Sequence, residues 1–197
     1  MNEPTIERHG PHHHLIHAFE EIEHKNALAW SILDTKSESA VVRAIALSAN
    51  RLAKSRIAHV EYRPRIDLVF LQSEGPKKVP AAYEAKAAYA SDFQDDRIQK
   101  NDKWLGTCVD DDLRKRARLL AKHPSLELFG ALFFIYEVSP TSKLLKYGGR
   151  SEVPIQRIDE ALVTTVHEGV SLGRTGIDCG EADGAHVCVY MYVFEPK

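Results

Sequence analysis

Three charged residues inside two strongly apolar stretches constrain this chain more than any other feature. Asp67 lies within the run 65–71, and Glu84 and Lys86 lie within the run 81–89, with a short polar segment between the runs. Burying a carboxylate among Ile, Leu, Val and Phe is costly unless the carboxylate is paired or binds a metal. Glu84 and Lys86 are two residues apart, so in a strand their side chains point to the same face. The pattern therefore predicts a sheet in which charged groups gather at one place.

Hydrophobic spacing and turn residues predict an α/β fold of the α+β kind, with a mixed sheet covered by helices. Helices are predicted at 12–33, 36–54, 111–123 and 154–169, and strands at 57–62, 65–71, 81–89, 126–138 and 186–194. The segment 72–78 has hairpin-loop residues, so the third strand is expected to return antiparallel beside the second. Gly173–Gly184 is predicted to be a loop. Because no linker is visible, we expect a single domain over 1–197.

Composition places the chain among soluble globular proteins. It has 197 residues, of which 44% are hydrophobic and 27% charged, and its apolar stretches are too short to span a bilayer. The polar, acidic N-terminus resembles neither a signal peptide nor a transit peptide. The cysteines are Cys108, Cys179 and Cys188, and they form no CxxC pair. A disulfide framework is therefore not expected, and the predicted location is cytoplasmic.

Charge is unevenly distributed along the first third of the chain. Residues 1–35 carry six acidic and two basic residues, whereas residues 36–65 carry seven basic and two acidic residues. A basic block next to Asp67 fits an anionic ligand. The alternative is a solvated helix face with ordinary surface arginines.

The charged residues in the apolar runs can form a metal site suited to phosphodiester hydrolysis. Asp67 and Glu84 can supply carboxylate oxygens, and the carbonyl of Ala85 can supply a third oxygen ligand. A bound divalent metal acidifies water and offsets charge on the phosphate. Lys86 can orient or help deprotonate the attacking water, or stabilise the transition state. The alternative is a buried salt bridge between Lys86 and one of the two carboxylates.

Glu38 is a candidate fourth member of this site. It continues the core-facing stripe of the second predicted helix, whose apolar members are Val42, Ile45, Ala49 and Leu52. From the first turn of that helix, Glu38 can reach a metal or a metal-bound water. The alternative is a capping box over 35–38, in which the glutamate closes back onto the start of the helix.

The order helix with Glu38, strand, strand with Asp67, strand with Glu84 and Lys86, helix, strand resembles the PD-(D/E)XK nuclease superfamily. The resemblance covers roughly 36–138. It implies a restriction-endonuclease-like core of helix-strand-strand-strand-helix-strand, with an N-terminal helical extension over 1–35 and a C-terminal helix-strand extension over 139–197. In this sequence the aspartate follows Ile66, with Pro64 three residues before it, instead of directly following a proline.

The resemblance also implies an activity and the residues that perform it. Asp67 and Glu84 would bind Mg²⁺ or Mn²⁺, Lys86 would assist the water, and Glu38 would complete the site of a nuclease. Nucleic acid is the expected partner, with DNA as the favoured substrate. The alternatives are a non-catalytic nucleic-acid-binding or regulatory module with the same fold, and a small-molecule phosphohydrolase. Nucleases that cut both strands are often homodimers, but the sequence shows no diagnostic interface and no recognition motif.

Other polar clusters are weaker candidates. The histidine-rich start can bind metal through His13 and His17, although a surface tract is the favoured interpretation. Acidic residues at 110–112 fit a helix start favoured by the helix dipole. The basic residues at 114, 115, 116 and 118 can contact phosphates or simply form a solvated face. Residues that can line the site because they follow the third strand closely are Tyr89, Asp92 and Gln94.

Overall fold

The computed structural model describes residues 12–34, 37–55, 57–62, 66–71, 81–89, 127–138 and 170–195, with single positions at 114, 118 and 121. The helices in this part are α1 (His13–Glu20), α2 (Lys25–Asp34) and α3 (Ser37–Leu52). The strands are β1 (Ala58–Tyr62), β2 (Ile66–Phe70), β3 (Ala81–Tyr89), β4 (Glu127–Val138), β5 (Val170–Ala182) and β6 (Ala185–Glu195). The predicted combination of helices with a mixed sheet is confirmed.

The six described strands form one sheet in the order β1-β2-β3-β4-β6-β5. Strands β3 and β4 pair in parallel, and the other neighbouring pairs are antiparallel. The antiparallel return of β3 beside β2 was predicted and is confirmed. None of the described helices combines the length and apolar character needed to cross a membrane.

The core forms where one face of the sheet meets the three helices. Leu68, Phe70, Tyr83 and Ala85 belong to the buried cluster that also contains the apolar residues of α1, α2 and α3. Helix α3 contacts β1, β2, β3 and β4, and α2 contacts β5. Because side chains alternate along a strand, Glu84, which lies between Tyr83 and Ala85, points toward the opposite side of the sheet.

The predicted single helix over 12–33 is wrong, since the chain breaks between α1 and α2. Glu20 is the last residue of α1 and Glu21 is its C-cap, and the helix dipole disfavours negative charge at this end. The Glu21 carbonyl left by the break accepts hydrogen bonds from Ser48 Oγ at 3.1 Å and from Arg51 Nη2 at 2.8 Å. These donors come from α3, so tertiary contacts stabilise a break that apolar spacing alone does not reveal.

The predicted loop over Gly173–Gly184 is also wrong, because most of it forms β5. Ala182 pairs with Ala185, and between them Asp183 and Gly184 have φ angles of 49° and 73°. Two successive positive φ angles are those of a tight type I′ hairpin turn, which an Asp-Gly pair favours. Glycines and acidic residues are typical of loops, so the sequence pattern does not reveal this strand, which the turn places against β6.

An aromatic side chain covers the glycine at the middle of β5. A Cβ atom at Gly176 would lie only 2.7 Å from Cδ1 of Tyr190, its cross-strand partner. The guanidinium of Arg174 lies 5.6 Å from the centre of the same ring. The ring therefore occupies the space that a side chain would take, which explains how a glycine-rich strand packs at the edge of the sheet.

The end of α3 is joined to β1 through one side chain. Asn50 Nδ2 donates to the Ala58 carbonyl at 3.0 Å, and Asn50 Oδ1 accepts from the backbone N–H groups of Ile57 and Ala58 at 2.8 Å each. This connection fixes where β1 begins relative to the helix.

Some predicted elements lie outside the described residues: the helices over 111–123 and 154–169 and the polar insert 72–78. Within the first of these helices, Arg114 and Arg118 are described as helical and exposed, and position 121 as a turn.

Candidate metal centre

Asp67 connects the two strands that carry the predicted site. The β2–β3 ladder runs from the Phe70–Ala81 pair to the Leu68–Tyr83 pair. After the last pair of this ladder, the Asp67 side chain keeps β2 in contact with β3, because its Oδ2 accepts a hydrogen bond of 2.8 Å from the backbone N–H of Ala85. A half-buried carboxylate is thereby held against the backbone between Glu84 and Lys86.

Glu84 is the most deeply buried of the charged residues predicted for the site. Only 6% of its surface is exposed, and its Oε2 atom is buried. On β4 the partner of Glu84 is Gly130, which contributes no side chain to the shared face. A buried carboxylate is costly in its ionised form unless hydrogen-bond donors or a cation face it. The charged form of Glu84 therefore requires stabilisation by hydrogen-bond donors or by a cation at this position.

Lys86 follows on the same face of β3, as the spacing predicted. It is half-buried and pairs with Leu132 on β4. Its neighbour Ala85 is 1% exposed and is fixed on one side by Asp67 and on the other by pairing with Ala131. The Glu84–Lys86 segment thus lies in the interior of the sheet and is held by contacts with β2 on one side and β4 on the other.

Glu38 lies in the first turn of α3, as predicted, and is half-buried. It shares with Asp67 a small depression of about 40 Å³. The other described residues that line this depression are Ser39, Val42, Arg43, Val60 and Glu61. The structure therefore brings Glu38 and Asp67 to one opening, while Glu84 and Lys86 do not feature among the described residues that line it.

The beginning of α3 is also connected to the far end of β3. Ser37 Oγ donates to the Ile32 carbonyl at 3.2 Å and hydrogen-bonds the hydroxyl of Tyr89 at 2.5 Å. Tyr89, a candidate lining residue, therefore has a role in positioning the helix that carries Glu38. Asp92 and Gln94, together with 35 and 36 of the alternative capping box, lie outside the described residues.

Glu61 is a neighbour of the site that sequence analysis missed. It lies between the Val60–Leu68 and Tyr62–Ile66 pairs and so faces Asp67 across the β1–β2 ladder. Its φ angle of 50° is unusual for a residue other than glycine. Residue type and spacing in the sequence do not reveal that Glu61 lies next to Asp67, because this proximity depends on the pairing register and the backbone conformation.

The basic block divides into two parts in the structure. Arg43 lines the depression and lies 4.0 Å from Glu61, with both side chains largely exposed. Arg51 instead contacts Glu23 and the Glu21 carbonyl, so it stabilises the α1–α2 break. Of the described basic residues in 36–65, Arg43 is thus the one placed at the opening.

The surface interpretation of the histidine-rich start is wrong for His12. Its ring is 7% exposed, lies 3.0 Å from the Tyr83 hydroxyl through Nδ1, and packs edge-on against Phe129 with centroids 4.3 Å apart. Burial lowers the pKa of His12 to about 4. By contrast, His13 and His17 are exposed, with stacked rings whose centroids are 5.9 Å apart.

A second group of potential ligands was also missed. Asp178, His186 and Cys188 come together on the β5–β6 hairpin, with ligand atoms within 4.8 Å of one another. The His-x-Cys spacing places two of these side chains on one face of a strand, and this signal was available in the sequence. Sequence analysis misses the group because it predicts a loop, not a strand, over Gly173–Gly184.

Comparison with known proteins adds no relative from which a function could be transferred. The chain matches no protein-family model, no curated protein and no solved structure.

Proposed function

We propose that this chain is a restriction-endonuclease-like, metal-dependent nuclease that uses water to hydrolyse phosphodiester bonds, with DNA as the favoured substrate. The hydrogen bond from the Ala85 N–H to Asp67 Oδ2 carries the proposal. It joins the first carboxylate to the strand that contains Glu84 and Lys86. The strand arrangement is consistent with the proposal, since α3 precedes three antiparallel strands and β4 pairs in parallel with the third.

The donor atoms that the proposed site would use fit a hard divalent cation. Glu38, Asp67 and Glu84 offer carboxylate oxygens, and Ala85 offers a backbone carbonyl. Mg²⁺ prefers such oxygen donors and keeps several waters, while Mn²⁺ accepts the same set. When bound, the cation would supply an acidified water and offset negative charge on the phosphate.

Side chains of the protein would orient the water, bind the phosphate and hold the metal-binding carboxylate in place. Lys86 shares a face with Glu84, so its amine can orient a water or donate to a phosphate oxygen. Arg43, at the rim of the depression, can attract and position the phosphate backbone. Asp67 is held by Ala85, which limits the reorganisation of its carboxylate when substrate binds.

A cleavage panel tests the proposal. Duplex, single-stranded and branched DNA and RNA are incubated with purified protein in Mg²⁺ or Mn²⁺, beside Lys86→Ala and the matched control Lys54→Ala, which replaces an exposed lysine. We expect wild type and Lys54→Ala to cut at least one substrate and Lys86→Ala to lose about 100-fold or more in rate.

Two outcomes would contradict the nuclease assignment. One is wild-type protein that cuts none of the nucleic acids in either metal. The other is equal cleavage by wild type and Lys86→Ala at matched purity. If metal binds but no nucleic acid is cut, the chain is better described as a binding or regulatory module, and bis(4-nitrophenyl) phosphate would then test a small-molecule phosphohydrolase.

A further inference from the structure

We infer that Asp178, His186 and Cys188 form a second cation site that binds a borderline-soft divalent metal of the Zn²⁺ class. His186 Nε2 lies 3.1 Å from Asp178 Oδ1, and the Cys188 Sγ completes a triangle in which ligand atoms lie within 4.8 Å of one another. Imidazole, thiolate and carboxylate are the ligand types that Zn²⁺ uses in proteins. The inference is independent of the proposed nuclease site.

The hairpin itself brings these three residues together. Asp178 pairs directly with Cys188, and His186 lies two residues from Cys188 on the same face of β6. The register shift between Asp178 and Gly180 forms a bulge, in which the N–H of Gly180 donates to Asp178 Oδ1 at 2.8 Å. The Asp178 carboxylate is therefore oriented in the absence of metal, and the tight turn fixes the register of His186 and Cys188 on β6.

The distances are close to those of a tetrahedral site. Zinc-to-ligand bonds of about 2.0 Å for oxygen and nitrogen and about 2.3 Å for sulfur place nitrogen and oxygen about 3.3 Å apart, and nitrogen and sulfur about 3.5 Å apart, in a tetrahedral site. The observed separation of 3.1 Å between His186 Nε2 and Asp178 Oδ1 is near the first value. Because the ligand atoms lie within 4.8 Å of one another, sulfur has to approach by at most about 1.3 Å, which a side-chain rotation can supply.

Exposure favours an open coordination position over a closed structural site. The side chains of His186 and Asp178 are 41% and 66% exposed, so water or an exogenous ligand can occupy a fourth position. Nitrogen and sulfur donors also distinguish this site from the all-oxygen set around Asp67, because thiolate and imidazole select Zn²⁺ over Mg²⁺.

The same group is poorly arranged as a cysteine nucleophile. Burial, followed by the charge of Asp178, raises the pKa of Cys188, whereas nucleophilic cysteines need a stabilised thiolate. The imidazole atom that would polarise the thiol, Nε2, already contacts the carboxylate.

Titration of metal-free protein with Co²⁺, a spectroscopic substitute for Zn²⁺, tests the inference. We expect a thiolate-to-cobalt charge-transfer band that Zn²⁺ abolishes by displacement. Cys188→Ser and His186→Gln should each weaken Co²⁺ binding by more than about 100-fold, the upper end of the loss from an outer-sphere partner. Cys179→Ala, which removes the buried neighbouring thiol, should retain the band.

The histidine-rich helix α1 provides the necessary second control. A variant with both His13→Gln and His17→Gln should keep the band, because histidine ligands alone give no thiolate transition. The inference is overturned if wild type shows no such band, if Cys188→Ser and His186→Gln both retain it, or if Cys179→Ala abolishes it. Circular dichroism of each metal-free variant establishes that the hairpin variants fold. If one of the two ligand variants does not fold, the other is sufficient for the test.

Discussion

Acidification should destabilise this protein through one buried histidine. His12 is 7% exposed and contacts the Tyr83 hydroxyl, and its pKa is lowered to about 4 because burial disfavours the charged ring. In the unfolded chain the pKa of histidine returns to about 6.5. Between these values the unfolded state binds the proton first, so the free energy of unfolding falls as pH falls from about 6.5 to about 4.

The size of this effect follows from the two pKa values. Each unit of pKa difference corresponds to about 1.4 kcal/mol, so the full loss below pH 4 would be about 3 kcal/mol. Between pH 7 and pH 5 the same linkage gives a loss of about 2 kcal/mol. Above pH 6.5 both states are largely neutral at His12, and this residue then contributes little pH dependence.

Urea denaturation at pH 7, 6 and 5 measures the effect in wild type and in His12→Gln, which keeps a hydrogen-bonding group but does not titrate. We expect wild type to lose about 2 kcal/mol more than His12→Gln between pH 7 and pH 5. His13→Gln is the matched control, since it removes an exposed histidine from the adjacent position and should behave as wild type. Identical pH dependence in wild type and His12→Gln would refute the reasoning.

Two further substitutions test how the sheet is positioned. Asn50→Ala removes three hydrogen bonds between α3 and the start of β1 and should lower the free energy of unfolding by about 2–3 kcal/mol in urea titrations, whereas Asn50→Asp should lose less because it keeps both acceptor contacts. Gly176→Ala places a methyl group 2.7 Å from Tyr190 and should destabilise by about 1–3 kcal/mol, and combination with Tyr190→Leu should relieve part of this cost. No measurable loss in Asn50→Ala, or additive losses in the double variant, would contradict these contacts.

Local patterns predicted the central part of the sheet well. The apolar run 81–89 coincides with β3, and the hairpin-loop chemistry of 72–78 correctly predicted that β3 returns beside β2. Adjacency of Asp67 to the Glu84–Lys86 segment followed from these two facts. Residue type and period are sufficient here because both strands are interior and strongly apolar.

Features that depend on distant partners were not predictable from local patterns. The break after α1 relies on donors from α3, and the strand character of β5 relies on its pairing with β6. His12 is buried by packing against Tyr83 and Phe129, which lie on strands of the sheet that are distant in sequence. The approach of Glu61 to Asp67 likewise requires the β1–β2 register.

The most direct test of the proposed activity is the rate at which Asp67→Asn cleaves the best nucleic-acid substrate in Mg²⁺. Asparagine can still accept the hydrogen bond from the Ala85 N–H, so the strand contact survives while the negative charge is removed. We predict a rate at least about 100-fold below wild type, with a free energy of unfolding changed by less than about 1 kcal/mol. A rate within about twofold of wild type, in folded protein, would contradict the account.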